Sequence, residues 1–247
     1  MGKRAGGRAS GPKCIAIVGP FASGKTSLLE AILERTKAIQ KAAKAGSGNT
    51  VGDSSPEAKA HQMSVEATIA ATSYMGESLT LVDCPGSVEF AFESEPVLAA
   101  ADMAIVVAEP DEKKIPALQL VLRRLEDLGL PHMLFLNKID KATGSVRDIL
   151  QLLQPASKTP LLLRQIPIWK DGIAIGTIDL ASERAYVFRE HAESEVIAIP
   201  DTERAREIEA RYSMLERLPD HDDDLMEQLL EDIPPPMDEV FDDLTAD

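Results

Sequence analysis

Only two cysteines, Cys14 and Cys84, occur in the 247 residues. That is too few for a disulfide framework, and a reducing cytoplasm is the expected setting. No run of about 20 apolar residues exists, which excludes a membrane-spanning helix. The stretch Met1 to Lys13 is basic and Gly-rich and lacks the apolar segment of a signal peptide. Residue 6 is Gly, so a myristoylation pattern also fails. The four histidines, His61, His132, His191 and His221, show no metal-ligand spacing. His221-Asp222-Asp223-Asp224 lacks the glycine of a Ca²⁺ loop, and no Ser/His/Asp triad can be read from the sequence. Basic residues are in deficit too. The net charge is −15, and residues 201–247, with 17 Asp/Glu against 4 Arg, carry −13 of it. Such a region cannot grip phosphate backbones broadly. It is either a solvated helix surface or a docking surface for a basic partner, with Glu203, Glu207 and Glu209 as candidates.

What remains is ordinary globular composition, 44% hydrophobic and 27% charged, at a length that suits one or two domains. Cys14 to Val18 is a short β-rich run. A Gly-bounded loop follows, then Thr26 to Ile39 with Leu28, Leu29, Ile32 and Leu33 at helical spacing. Residues 46–56 form a Gly/Ser/Asn/Asp-rich loop. Val65 to Tyr74 and Leu79 to Val82 predict a hairpin about Met75-Gly76-Glu77-Ser78. Met103 to Ala108 and Met133 to Leu136 predict buried strands, with a helix over Pro116 to Leu128 between them. Strands alternating with helices predict a mostly parallel sheet covered on both faces, with the hairpin as one antiparallel edge. The texture changes near Pro155 to Pro160. Short runs at 161–168, 173–180, 184–189 and 195–199 predict a small antiparallel sheet. Asp201 then suits the N-cap of a helix to about Leu218, and Asp222 that of another to Leu230, before Pro234-Pro235-Pro236. The expected division is a flexible basic tail (1–12), an α/β core (13–157), an α+β insert (158–233) and an acidic tail (234–247).

Three motifs carry chemistry. Gly19-Pro20-Phe21-Ala22-Ser23-Gly24-Lys25-Thr26 matches G-x-x-x-x-G-K-[ST] between a predicted strand and a predicted helix that continues through Ser27. Such glycines let backbone N–H groups converge on phosphate oxygens at a helix N-terminus. Lys25 is placed to reach the β- and γ-phosphates, and the Thr26 hydroxyl to ligate Mg²⁺. Asp83-Cys84-Pro85-Gly86 closes the second hairpin strand. Asp83 suits holding the Mg²⁺ through water, and Gly86 suits presenting its N–H to the γ-phosphate. Asn137-Lys138-Ile139-Asp140 follows the strand 133–136. The Asp140 carboxylate can accept from guanine N1–H and N2–H₂, a donor pair that adenine lacks. Asn137 would tie the loops together, and the Lys138 stem would lie along the base.

In that order and spacing the motifs resemble those of the GTPase superfamily, and the whole of residues 13–245 resembles the GTPase domain of the elongation factor G family. Ser64 to Gly86 is similar to that family without a gap. Gln165-Ile166-Pro167-Ile168 and Asp222-Asp223-Asp224-Leu225-Met226-Glu227 resemble the subdomain that elongation factor G carries inside its GTPase domain. Gly-Pro-Phe-Ala-Ser-Gly-Lys-Thr and Asp-Cys-Pro-Gly-Ser point to an elongation-factor-G-like paralogue. The resemblance implies a P-loop α/β fold, GTP/GDP with Mg²⁺, hydrolysis of GTP, and the ribosome as partner. It also implies a stalk-protein contact on the acidic insert, a monomer, and no sequence-specific nucleic-acid binding by this domain. Ser64 falls where the family has its switch Thr and joins Thr26 and Asp83 as a metal contact. Lys25, Gly86 and Ser87 take the catalytic places.

Three departures from the family stand out. Ser87 replaces the His that positions the attacking water. Ala22 stands where an Asp is common. The last strand, guanine-facing Ser-Ala loop and final helix do not follow before Asp247, which suggests a piece of a longer protein or a truncated gene product. The strand 133–136 is then expected to be an uncovered edge.

Overall fold

The computed structural model describes residues 13–43, 49–52, 64–142, 144–190, 192–217 and 235–246. They divide into two compact units, residues 1–139 and 140–247.

The first unit is an α/β sandwich. Its strands are β1 (Lys13–Val18), β2 (Thr68–Tyr74), β3 (Glu77–Asp83), β4 (Met103–Ala108) and β5 (His132–Leu136). They lie in the order β2-β3-β1-β4-β5, and only the β2–β3 pair is antiparallel. The helices are α1 (Lys25–Arg35), α2 (Ala91–Ala100) and α3 (Ile115–Leu128). Ile17, Leu81 and Val107 pack with Leu29 and Leu33 of α1. Ala16, Val82, Val106 and Ala108, which alternate with them, are buried as well. Both faces of the sheet are therefore covered, which is why these strands are continuous apolar runs. Helix α1 stops four residues earlier than the periodicity suggests. Thr36 caps it, and Lys37, at φ 61°, turns the chain away. Helix α2 has little helical signal in the sequence, because Pro96 interrupts a segment with few polar positions. Among the described residues strand β5 lies at the sheet edge, with Met133 51% and Phe135 41% exposed.

The second unit contains a meander of β6 (Gln165–Lys170), β7 (Ile173–Asp179), β8 (Arg184–Val187) and β9 (Glu195–Ile197), paired in chain order and all antiparallel. With it are α4 (Val146–Leu153), α5 (Asp201–Leu215) and α6 (Met237–Ala246). Ile166, Ile168, Ile178 and Leu180 of the sheet region pack with Ala210, Met214 and Leu215 of α5 and with Val240 of α6. The boundary between the two compact units lies ahead of α4, whereas the change of texture in the sequence lies near residue 157. Helix α4 sides with α5: Arg147 pairs with Glu209 at 2.6 Å, and Leu150 and Met214 line one groove. Ser145 and Asp148 close α4 with a capping box. Where the sequence suggests an acidic tail, α6 forms. Its Val240 is fully buried, and the Arg164 guanidinium lies 5.1 Å from the Phe241 ring centre. Pro200 occupies the N-cap of α5, so Asp201 sits in the first turn, where its charge favours the helix dipole. The helix expected at 222–230 lies outside the described residues.

The acidic face of α5 is not where the sequence places it. Glu203 and Glu207 are buried, and the outer side carries Arg204, Ile208, Glu209 and Tyr212. Burial, and then the negative charge of Glu183, push the Glu207 carboxyl above its ordinary value, against the pull of Arg211 and Arg204. Its Oε1 has no hydrogen-bond partner among the described residues. The folded protein thus holds this proton where the unfolded chain has lost it, so this residue's contribution weakens as pH rises through that window. Glu207→Gln is expected to raise the melting temperature by ~2–4 °C at pH 8, with the gain shrinking toward pH 5. Thermal scans at both pH values check this.

Candidate functional site

The phosphate-loop sequence forms the β1–α1 junction. Gly19 leaves the sheet, Ser23 N–H closes a turn on the Pro20 carbonyl at 3.2 Å, and Lys25 begins α1. Gly24 is the left-handed N-cap at φ 102°, and a Cβ there would stand 2.2 Å from Asn137 Nδ2, so no other residue fits. That close approach is functional in form. Asn137 Nδ2 donates to the Ser23 carbonyl at 2.8 Å, while its Oδ1 accepts the Lys138 N–H at 2.9 Å. The third motif is thereby locked to the first across 114 residues of chain. Lys138 Nζ donates to the Ala22 carbonyl at 2.5 Å. Phe21 and Ala22 are exposed at the tip, and Ser27 is exposed on the first turn of α1.

Lys25 is buried, and its Nζ donates to the Gly19 and Pro20 carbonyls at 3.1 and 3.2 Å. Gly86 packs directly on it. A Cβ at Gly86 would be 2.2 Å from Lys25 Nζ and 3.0 Å from the Gly19 and Pro20 oxygens. The second motif therefore meets the first around one ammonium group. Ser87 follows in extended conformation, half-buried, its carbonyl accepting the Phe90 N–H at 3.1 Å.

Three oxygen donors converge below this point. Thr26 Oγ1 donates to Asp83 Oδ2 at 2.6 Å and lies 3.5 Å from Ser64 Oγ. Two hydroxyls and a carboxylate are the hard ligands that Mg²⁺ takes alongside phosphate oxygens and water. Among the described residues the fully buried Ser23 Oγ has no hydrogen-bond partner, as expected of a polar lining that addresses a ligand. The residues present fit a magnesium–nucleotide complex. Asp140 is the first residue of the second unit and is exposed in the short turn Ile139–Lys141. Among the described residues no cluster of His, Cys, Asp or Glu suits another metal. His132 makes a local contact, its Nδ1 lying 3.0 Å from the Leu130 carbonyl. His61, His191 and His221 lie outside the described residues. Cys84 is fully buried, and burial pushes its thiol up to about 12, so it is inert beside the phosphate loop.

Glu30 gave no signal in the sequence, where it reads as one polar position of an amphipathic helix. It is 2% exposed, and its two oxygens accept the Ala43 N–H at 2.8 Å and the Val51 N–H at 2.6 Å. One carboxylate ties both flanks of residues 43–51 to α1. Thr68 Oγ1 then holds the Gly52 carbonyl at 3.1 Å, which seats Gly52 over the Thr26 methyl.

A phosphate loop after the first strand, an Asp-x-x-Gly turn over its lysine and an Asn-Lys pair pinning the loop from behind define a P-loop guanine-nucleotide-binding domain. Residues 13–218 match the family of the elongation factor Tu GTP binding domain, and the chain belongs to that family. Its relatives point to the elongation factor G branch. The chain is 42% identical over 226 residues to an elongation factor G-like protein of Synechocystis sp., covering 92% of this chain and 34% of that protein. It is 30% identical over 218 residues to elongation factor G of Dehalococcoides mccartyi, covering 87% and 32%. A crystal structure from Thermus thermophilus is similar with a TM-score of 0.80 at 31% identity, covering 94% of this chain and 34% of that one. The chain spans about a third of the length of the curated relatives it matches. The fold is the one expected: an α/β P-loop core with a mostly parallel sheet, plus an α+β unit.

Proposed function

We propose that this chain binds GTP and GDP with Mg²⁺ and hydrolyses GTP slowly, as the nucleotide domain of an elongation-factor-G-like protein acting on the ribosome. The convergence of Gly86 on Lys25 carries the reading, because it brings the γ-phosphate-sensing turn onto the one buried ammonium of the phosphate loop. Gly19 to Ser27 cradle the phosphates, Asn137 and Lys138 hold the loop and the base edge, and Asp140 reads guanine. Thr26, Asp83 and Ser64 would hold the Mg²⁺, which when bound neutralises charge on the β- and γ-oxygens. Lys25 stabilises the same oxygens, and Gly86 offers its backbone N–H to the γ-phosphate. Ser87 occupies the water-positioning place with a short neutral hydroxyl. That substitution supports a second reading, a switch that signals by nucleotide occupancy and turns over little.

The ribosome as partner rests on the elongation factor G relatives. A stalk-protein contact on α5 would use the outer residues Ile208, Glu209 and Tyr212, since Glu203 and Glu207 are buried. Titration with GTP, GDP and ATP, with and without Mg²⁺, tests the core of the reading. Tight Mg²⁺-dependent guanine binding with no ATP competition is expected. Equal binding of ATP, or none of GDP, would overturn it.

A further inference from the structure

Glu109 follows directly on β4, at the same end of the sheet as the phosphate loop, and its side chain is 10% exposed. One of its oxygens pairs with Lys114 Nζ, and the other with Lys138 Nζ at 2.8 Å. Each lysine has a second acceptor. Lys114 Nζ donates to the Phe21 carbonyl at 2.8 Å, and Lys138 Nζ to the Ala22 carbonyl at 2.5 Å. Two consecutive carbonyls at the tip of the phosphate loop are thus held by two ammonium groups, and one carboxylate yokes the two together.

The loop has reason to need holding. Ala22 sits at φ 55°, a region that residues with a Cβ rarely adopt. Its side chain is a single exposed methyl, which cannot hydrogen-bond to hold it there. A peptide unit is planar and trans, so its carbonyl and the next N–H point in opposite directions. Pinning the Phe21 and Ala22 oxygens therefore fixes the directions of the Ala22 and Ser23 N–H groups. The Ser23 N–H closes the turn on Pro20, and the loop's N–H groups are its phosphate-binding atoms. The carboxylate also sets where the lysines point. Two ammoniums this close repel each other unless a negative charge lies between them. With Glu109 in place both stay directed at the loop's outer carbonyls.

We propose that Glu109 and Lys114 are positioning residues for nucleotide binding. They fix the phosphate-loop tip, through Lys138 and the Phe21 and Ala22 carbonyls, in the conformation that receives the β-phosphate. The proposal rests on the nucleotide-binding function proposed above. Neither residue belongs to a motif, and the contacts join positions 5 to 116 residues apart.

The test compares GDP with GMP, which lacks the β-phosphate, by competition against a fluorescent GDP. Glu109→Gln keeps the shape and removes the charge, placing an amide against one lysine. The expected result is a GDP dissociation constant raised about tenfold, as for loss of one charge-assisted contact, with GMP changed less than about twofold. Lys114→Gln should act in the same direction. The double variant should be little worse than either, because both break one device. Melting temperatures of all three follow their folding, and Lys114→Gln serves alone if Glu109→Gln does not fold. Equal losses for GDP and GMP would reduce the yoke to a structural role and overturn the proposal. So would unchanged GDP binding in both variants. Failure of the unaltered protein to bind GDP would instead sink the proposed function.

Discussion

Asp140→Asn should cost GTP binding on the order of 10⁴-fold, the penalty for leaving a base's paired donors unmatched in a site built to hydrogen-bond them. It should at the same time create a binder of xanthosine triphosphate. A carboxylate offers two acceptors and no donor, which matches guanine N1–H and N2–H₂. An amide offers one acceptor and one donor, which matches N1–H and the O2 of xanthine. The swap exchanges one oxygen for an NH₂ at almost constant volume, and Asp140 is exposed, so the fold should be indifferent to it. Asn137 makes a suitable contrast. Its side chain bonds both the Ser23 carbonyl and the Lys138 N–H, so Asn137→Ala should weaken every nucleotide without changing base preference. Competition binding with both triphosphates reads the result. A variant that still prefers GTP would remove Asp140 from the base-reading role.

What the sequence shows well is what local pattern encodes. The parallel strands are short apolar runs because both sheet faces are covered, and the phosphate loop is legible because eight adjacent residues build it. What it hides are groups whose role depends on distant chain. Glu30 sits on α1 like any solvated carboxylate until Ala43 and Val51 close over it. Glu109 and Lys114 acquire a role only when the β4 end and the phosphate loop are side by side. Glu203 and Glu207 read as a charged outer face, yet they face inward, because the apolar positions of α5 are too few to define its buried side by themselves. Helices α4 and α6 are short, and Val240 and Leu244 of α6 and Leu150 of α4 meet residues distant in sequence within the second unit. Short segments of this kind owe their structure to packing, which a single sequence does not display.

Ser87→His should raise the rate of GTP cleavage by ~10²-fold or more, the usual worth of one positioning or acid–base group, while leaving GTP affinity nearly unchanged. In-line attack requires a water held opposite the leaving oxygen, and positioning supplies most of the catalysis in this chemistry. The residues that meet around the proposed phosphate site are assigned other work. In the proposed function Lys25 and the Gly86 turn, which meet, would stabilise phosphate oxygens, and Thr26, Asp83 and Ser64, which also converge, would provide oxygen donors to the metal. None of these reaches for the water. Ser87 does stand at the right place in the chain: it directly follows Gly86, and its backbone is anchored by the Phe90 N–H. Its hydroxyl, however, ends one bond beyond Cβ, whereas an imidazole nitrogen extends several ångströms further. The extended backbone at Ser87, φ −78° and ψ 137°, is open to any side chain, and the position is half-buried, so a histidine can enter without rebuilding the turn. Single-turnover cleavage by the unaltered protein and the variant, each with and without ribosomes, separates the possibilities. Slow cleavage that rises with histidine places the deficit at this one side chain. Fast cleavage by the unaltered protein would overturn the assignment and direct attention to Glu89, two residues on and exposed, as the group that holds the water.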